Sequence, residues 1–140
     1  MTLHEYLRLP HRFRWGGRAG EDCIMFCASW VAEQTGTDPA SEVRGTYRDE
    51  PGALQVLSSA GGIKALFASG LEPLGYERTR KPVSGDVGIV LAPSGIDGKI
   101  KEIGAIRFGP LWALLAPDGV RAKPLQFVAA WHLPTANRGA

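Results

Sequence analysis

The chain changes its hydrophobic period once, near Arg80, and that switch bounds the folds open to it. Before it, apolar residues recur at three and four, the spacing of one helix face. After it, short runs rich in β-branched residues alternate with turn dipeptides. Cys23, Ile24, Phe26, Cys27, Trp30 and Val31 form the widest stripe. They predict a helix over 23–34, with Asp22 as its N-cap and Gly36 as its stop. Leu3, Tyr6 and Leu7 predict a short helix over 2–8, capped by Thr2 and ended by Pro10. Further helices are predicted over 38–43, 51–60 and 63–69. Beyond a turn at 82–85, strands are predicted over 86–91, 99–108, 111–116, 120–125 and 126–133. Asp97-Gly98 and Pro117-Asp118-Gly119 supply turn chemistry. Helices first and antiparallel strands after them give an α+β order, with N-terminal helices packed on a C-terminal sheet.

A length of 140 residues suits one domain over 1–140, with 1–12 as an N-terminal arm and 134–140 as a frayed tail. Hydrophobic residues at 44% and charged residues at 21% exclude a disordered chain. Two cysteines and three histidines build neither a disulfide scaffold nor a structural zinc site, so no metal and no cofactor is expected. The longest apolar runs, such as 111–117, fall far short of a membrane span. The first residues show no apolar core followed by a cleavage site, so synthesis in the cytoplasm with reduced thiols is expected.

Charge is unevenly placed. Residues 1–20 hold Arg8, Arg12, Arg14 and Arg18 against Glu5, and residues 121–140 hold Arg121, Lys123 and Arg138 with no acid. Since the whole chain carries +2, the hundred residues between are net −4. Basic ends on an acidic middle suit an acidic partner surface. Arg12, Arg14 and Arg18 flank Phe13 and Trp15, but three arginines beside a negative middle are a weak footprint. Nucleic acid is therefore not expected as a partner.

Cys23 is the candidate nucleophile. At the first position of a helix it meets orphan N–H groups and a dipole that favour the thiolate, lowering its pKa from about 8.5 by one to several units. The glycine-rich stretch 16–20 before it would let a substrate backbone approach. The plainer reading makes Cys23 a small apolar residue on the inner helix face. Cys27, one turn later, reads as packing. His4 and His11 read as surface residues. No G-x-S-x-G elbow and no phosphate cradle occurs.

Several pieces of the sequence together resemble a known family. They are Asp22-Cys23-x-x-Phe26-x-x-Ser29-Trp30-Val31, Thr35-Gly36-x-Asp38-Pro39-Ala40, Arg44-Gly45-x-Tyr47, and Gly85-Asp86-Val87 at the head of a strand. Over about residues 10–133 this is similar to NlpC-type papain-like cysteine peptidases of cell-wall turnover. It is similar above all to the small phage and gene-transfer-agent tail proteins related to them. The resemblance implies a papain-like fold, Cys23 at the nucleophile position and Asp86 at a structural strand-opening position. It places the general base on the next strand, where Ile103 stands and no histidine does. Residues that could serve instead are His132, predicted to alternate outward from Trp131 on an edge strand, and Glu102.

Two functions follow as expectations. The first is a virion component at the tail tip or hub, docked on other tail proteins, with catalysis lost or residual. The second is an active cysteine peptidase or amidase cutting peptidoglycan stem peptides as the particle penetrates its host. The missing histidine favours the first.

Overall fold

A computed structural model of the chain describes residues 1–17, 20–93 and 97–134. Its four α-helices are α1 (Leu3–Arg8), α2 (Cys23–Thr35), α3 (Glu50–Ser59) and α4 (Ile63–Leu71). Its strands are β1 (Glu77–Arg78), β2 (Val87–Pro93), β3 (Ile100–Phe108), β4 (Leu111–Ala116), β5 (Gly119–Lys123) and β6 (Phe127–His132). All six strands pair antiparallel in one sheet, in the order β1-β6-β2-β3-β4-β5. The α+β order read from the period switch is the architecture observed. The predicted tail lies, apart from Pro134, outside the described residues.

Helix ends follow their caps. Thr2 accepts from the Glu5 N–H while Glu5 accepts from the Thr2 N–H, a reciprocal box. Asp22 caps α2, and Gly36 closes it in the left-handed region at φ 80°. The predicted helix over 38–43 does not form. That stretch is a run of turns, in which Arg44 N–H donates to the Ala40 carbonyl at 2.8 Å. The Asp38 carboxylate, taken by the Ala40 N–H and Arg44, holds the chain in this compact corner. The two-residue β1 is an addition. It lies outside β6, so the last strand is not the sheet edge.

Strand alternation assigns the two faces. Val87, Ile89, Ile106, Leu115, Ala129 and Trp131 point to one face and share a buried cluster with Phe26, Trp30 and Val31 of α2 and Phe67 and Leu71 of α4. Val90, Ile103, Ala105, Trp112, Leu114 and Ala130 form a cluster on the other. Contact between α2 and β3 is close because Gly104 has no side chain. A Cβ there would sit 2.8 Å from Phe67 Cζ, 3.1 Å from Cys27 Sγ and 3.2 Å from the Cys23 carbonyl oxygen. Trp30 clips the far end of α2 to the sheet, its indole N–H donating to the Gly85 carbonyl at 2.8 Å. The arm is part of this core: Tyr6 of α1 is buried and its hydroxyl donates to the Phe26 carbonyl at 2.6 Å.

Trp30→Ala removes a fully buried anchor and should cost ~3–5 kcal/mol in urea unfolding. Gly104→Ala should cost ~1–3 kcal/mol by forcing α2 off β3. Wild-type midpoints for both variants would contradict this placement of α2.

Candidate functional site

The segment before α2 doubles back on itself. Arg14 N–H donates to the Glu21 carbonyl at 2.8 Å and Glu21 N–H to the Arg12 carbonyl at 2.7 Å, closing a loop around Trp15-Gly16-Gly17. Its closure delivers Asp22, 1% exposed, to the head of α2. One carboxylate oxygen accepts from Met25 N–H at 2.9 Å. The other accepts from Gly16 N–H at 3.1 Å and from the Tyr47 hydroxyl. Burial, then the Asp22 charge, push the Tyr47 hydroxyl well above its ordinary pKa, so it stays a donor. Gly16 is required here: its φ is 85°, and a Cβ would lie 1.9 Å from the Tyr47 carbonyl oxygen.

A second set of partners sits beside it. Arg44 Nε donates to Asp38 Oδ2 at 2.9 Å, and its Nη2 reaches Ser29 Oγ at 3.3 Å and Asp38 Oδ1 at 3.4 Å. Gly45 N–H donates to the Gly16 carbonyl at 2.5 Å. Three separate sequence pieces therefore meet around α2: Asp22 and Ser29 from the first, Asp38 from the second, Arg44 and Tyr47 from the third. Their spacing of up to 25 residues hides this partnership in the sequence.

His11 corrects its expectation. It is not a surface residue: its side chain is 5% exposed, with Nδ1 2.7 Å from Glu21 Oε1 and Nε2 2.6 Å from the Tyr6 carbonyl oxygen. Tyr6 and Phe26 flank the ring at centroid distances of 4.7 and 5.0 Å. His11 thus ties α1 to the loop before α2. His4 stays exposed, edge-on to Phe108.

Cys23 is the first residue of α2, as expected, but its thiol pKa is raised rather than lowered. Burial, then the neighbouring Asp22 charge, push it up to about 12. The backbone N–H groups of Gly104, Cys23 and Ile24 act the other way without prevailing. The Gly104 contribution has a structural cause. Arg107 N–H donates to the Asp86 carbonyl, toward β2, so alternation turns the Gly104 N–H toward β4. There β4 pairs with β3 only over Ile106–Phe108, leaving the Gly104 N–H for the Cys23 sulfur. Cys23 also packs against the cluster that contains Val90, Ile103 and Trp112.

Ile103, where the resemblance puts a histidine, is 7% exposed within that apolar cluster. Glu102 is exposed. His132 gives its Nδ1 to Asp86 Oδ1 at 2.8 Å. It lies on β6 beyond the start of β2, three residues along the strand from Ala129, which shares a row with Ile89 and Gly104. Asp86 has the structural role expected: fully buried, it also accepts from the Val83 N–H at 2.8 Å. Cys27 is buried and its thiol is pushed well up by burial. Among the described residues, no three His, Cys, Asp or Glu side chains cluster as a metal site, and no helix is long and apolar enough to cross a membrane.

A family model described as Domain of unknown function (DUF6950) matches residues 2–133, from the cap of α1 to the residue after β6. The chain belongs to that family. No curated protein and no solved structure matches it. Every partner in the Asp22 network falls inside the DUF6950 match.

Two measurements check this site. Asp22→Ala strands three donors and should lower stability by ~2–4 kcal/mol, whereas Tyr47→Phe should cost ~1–2 kcal/mol. A thiol near 12 is about one part in 10,000 ionised at pH 8, so iodoacetamide should label Cys23 ~1,000-fold more slowly than free cysteine. The rate should climb about tenfold per pH unit toward 12. Labelling of the Cys23 peptide as fast as free cysteine would show an activated thiol.

Proposed function

We propose that this chain is a structural and interaction protein of a virion, placed at the tail tip or hub, on a papain-like scaffold that has lost its peptidase chemistry. What supports the loss of chemistry is the apolar Ile103 at the base position, packed near a Cys23 thiol that burial pushes up to about 12. General-base help is worth ~100- to 10,000-fold, and a cysteine nucleophile works as the thiolate. This site offers neither. The virion assignment rests on the resemblance of the motifs around Asp22, Asp38, Arg44 and Tyr47 to small tail proteins. What those residues do here agrees with a scaffold role: Asp22 and Asp38 hold backbone N–H groups around α2, and Tyr47 and Arg44 hold those carboxylates. The partners of this reading are other tail proteins.

An active peptidase or amidase acting on peptidoglycan is the reading to be tested against. The purified protein should give no clearing on a cell-wall zymogram, and Cys23→Ser should look the same. Clearing that Cys23→Ser abolishes would restore the enzyme. Mass spectrometry of purified particles should find the chain at constant stoichiometry to the tail proteins, and its absence there would end the virion reading.

A further inference from the structure

Among the described residues, the sheet has one long edge with no further strand on it. β5 is last in the strand order, and Arg121, Ala122 and Lys123 are exposed. The hairpin to β4 pairs Ala116 with Gly119 around Pro117-Asp118. Pro117 has no N–H, so this register requires Ala116 and Gly119 to exchange both their bonds. By alternation Gly119, Arg121 and Lys123 direct their backbone groups at β4, and Val120 and Ala122 direct theirs outward.

Charge selects what can bind there. Arg121 and Lys123 project from β5 itself. A cleft at the β4–β5 turn is lined by His11, Arg12, Phe13 and Arg14 on one side and Pro117, Asp118 and Gly119 on the other. The N-terminal basic stretch therefore reaches the turn that opens β5, where Asp118 of the cleft pairs with Arg121. Arg12, Arg14, Arg121 and Lys123 stand with this one carboxylate of the turn. A second copy adding its own β5 would bring Arg121 and Lys123 against their counterparts, which like-charge repulsion disfavours. An acidic strand meets no such penalty.

We propose that the β5 edge receives an extended acidic segment of a neighbouring protein as a seventh strand. Main-chain bonds to Val120 and Ala122 hold it, and Arg12, Arg14, Arg121 and Lys123 select its charge. This deepens the reading of the chain as an interaction protein and rests on it.

The probe is a capped peptide of alternating glutamate and valine, titrated into the full chain and followed by amide NMR. Val120 and Ala122 amides should shift and gain protection from solvent exchange. Affinity should fall at least ~10-fold between about 50 and about 300 mM salt, because screening acts on exposed charge. A lysine–valine peptide should not bind. Ala122→Pro removes one outward N–H and leaves the β4 ladder intact. It should weaken binding ~10-fold or more, as should Arg121→Glu with Lys123→Glu. If Ala122→Pro fails to fold, exchange protection at Val120 and Ala122 in the wild type decides the matter. No binding by the acidic peptide, or binding without protection of those two amides, overturns the proposal. A chain present in particles whose edge ignores the peptide would sink the edge alone, whereas absence from particles would sink the virion reading alone.

Discussion

The buried carboxylate of Asp22 is the interaction on which the rest of the structure depends. Three donors converge on it, from the loop before α2, from the first turn of α2 and from the chain after Arg44. A buried carboxylate is tolerated only when its acceptor capacity is filled, because an unfilled one costs several kcal/mol. Each of the three segments is therefore held by the need of the same group. Loss of any donor loosens the seat of α2, and with it the helix that carries Phe26, Trp30 and Val31 into the core.

From that seat the long-range order follows. α2 projects Phe26, Trp30 and Val31 onto one sheet face and reaches the start of β2 through Trp30 and Gly85. Gly104 allows the approach, and Tyr6 and His11 bind the N-terminal arm over the same helix. The opposite face has its own cluster, in which Trp112 lies across Gly88 with Arg107 over its ring. α2, α4 and three buried indoles, Trp30, Trp112 and Trp131, thus account for how a chain rich in glycine and proline still closes a core on both faces of its sheet.

The parts of this fold legible in the sequence are those governed by local rules. Thr2, Asp22 and Gly36 marked helix ends because capping acts within four residues. Leu111–Ala116 was readable as a strand because turn residues bracket it. What was not legible is non-local. Nothing near residue 11 announces that His11 will be buried against Glu21, and the 38–43 stretch has helical composition but loses its carboxylate to Arg44. The candidate site divides the same way. Cys23 at a helix start was readable; the closeness of β3, which decides what that thiol can do, belongs to tertiary packing.

That last point turns on magnitudes. A helix N-terminus favours an anion by ~0.3–1 kcal/mol, and by about 2 in partly buried settings. A rise from 9 to about 12 disfavours the Cys23 thiolate by roughly 4 kcal/mol. Burial and a buried carboxylate next door outweigh the dipole and the Gly104 N–H together. The carboxylate that seats α2 is thus also one of the groups that silence its first residue. An imidazolium beside the thiol would offset such a charge; Ile103 in the neighbouring cluster does not, and the balance stays with the thiol. A histidine placed at Ile103 would still face the Asp22 charge, which opposes the thiolate and also holds Gly16, Met25 and Tyr47 in place.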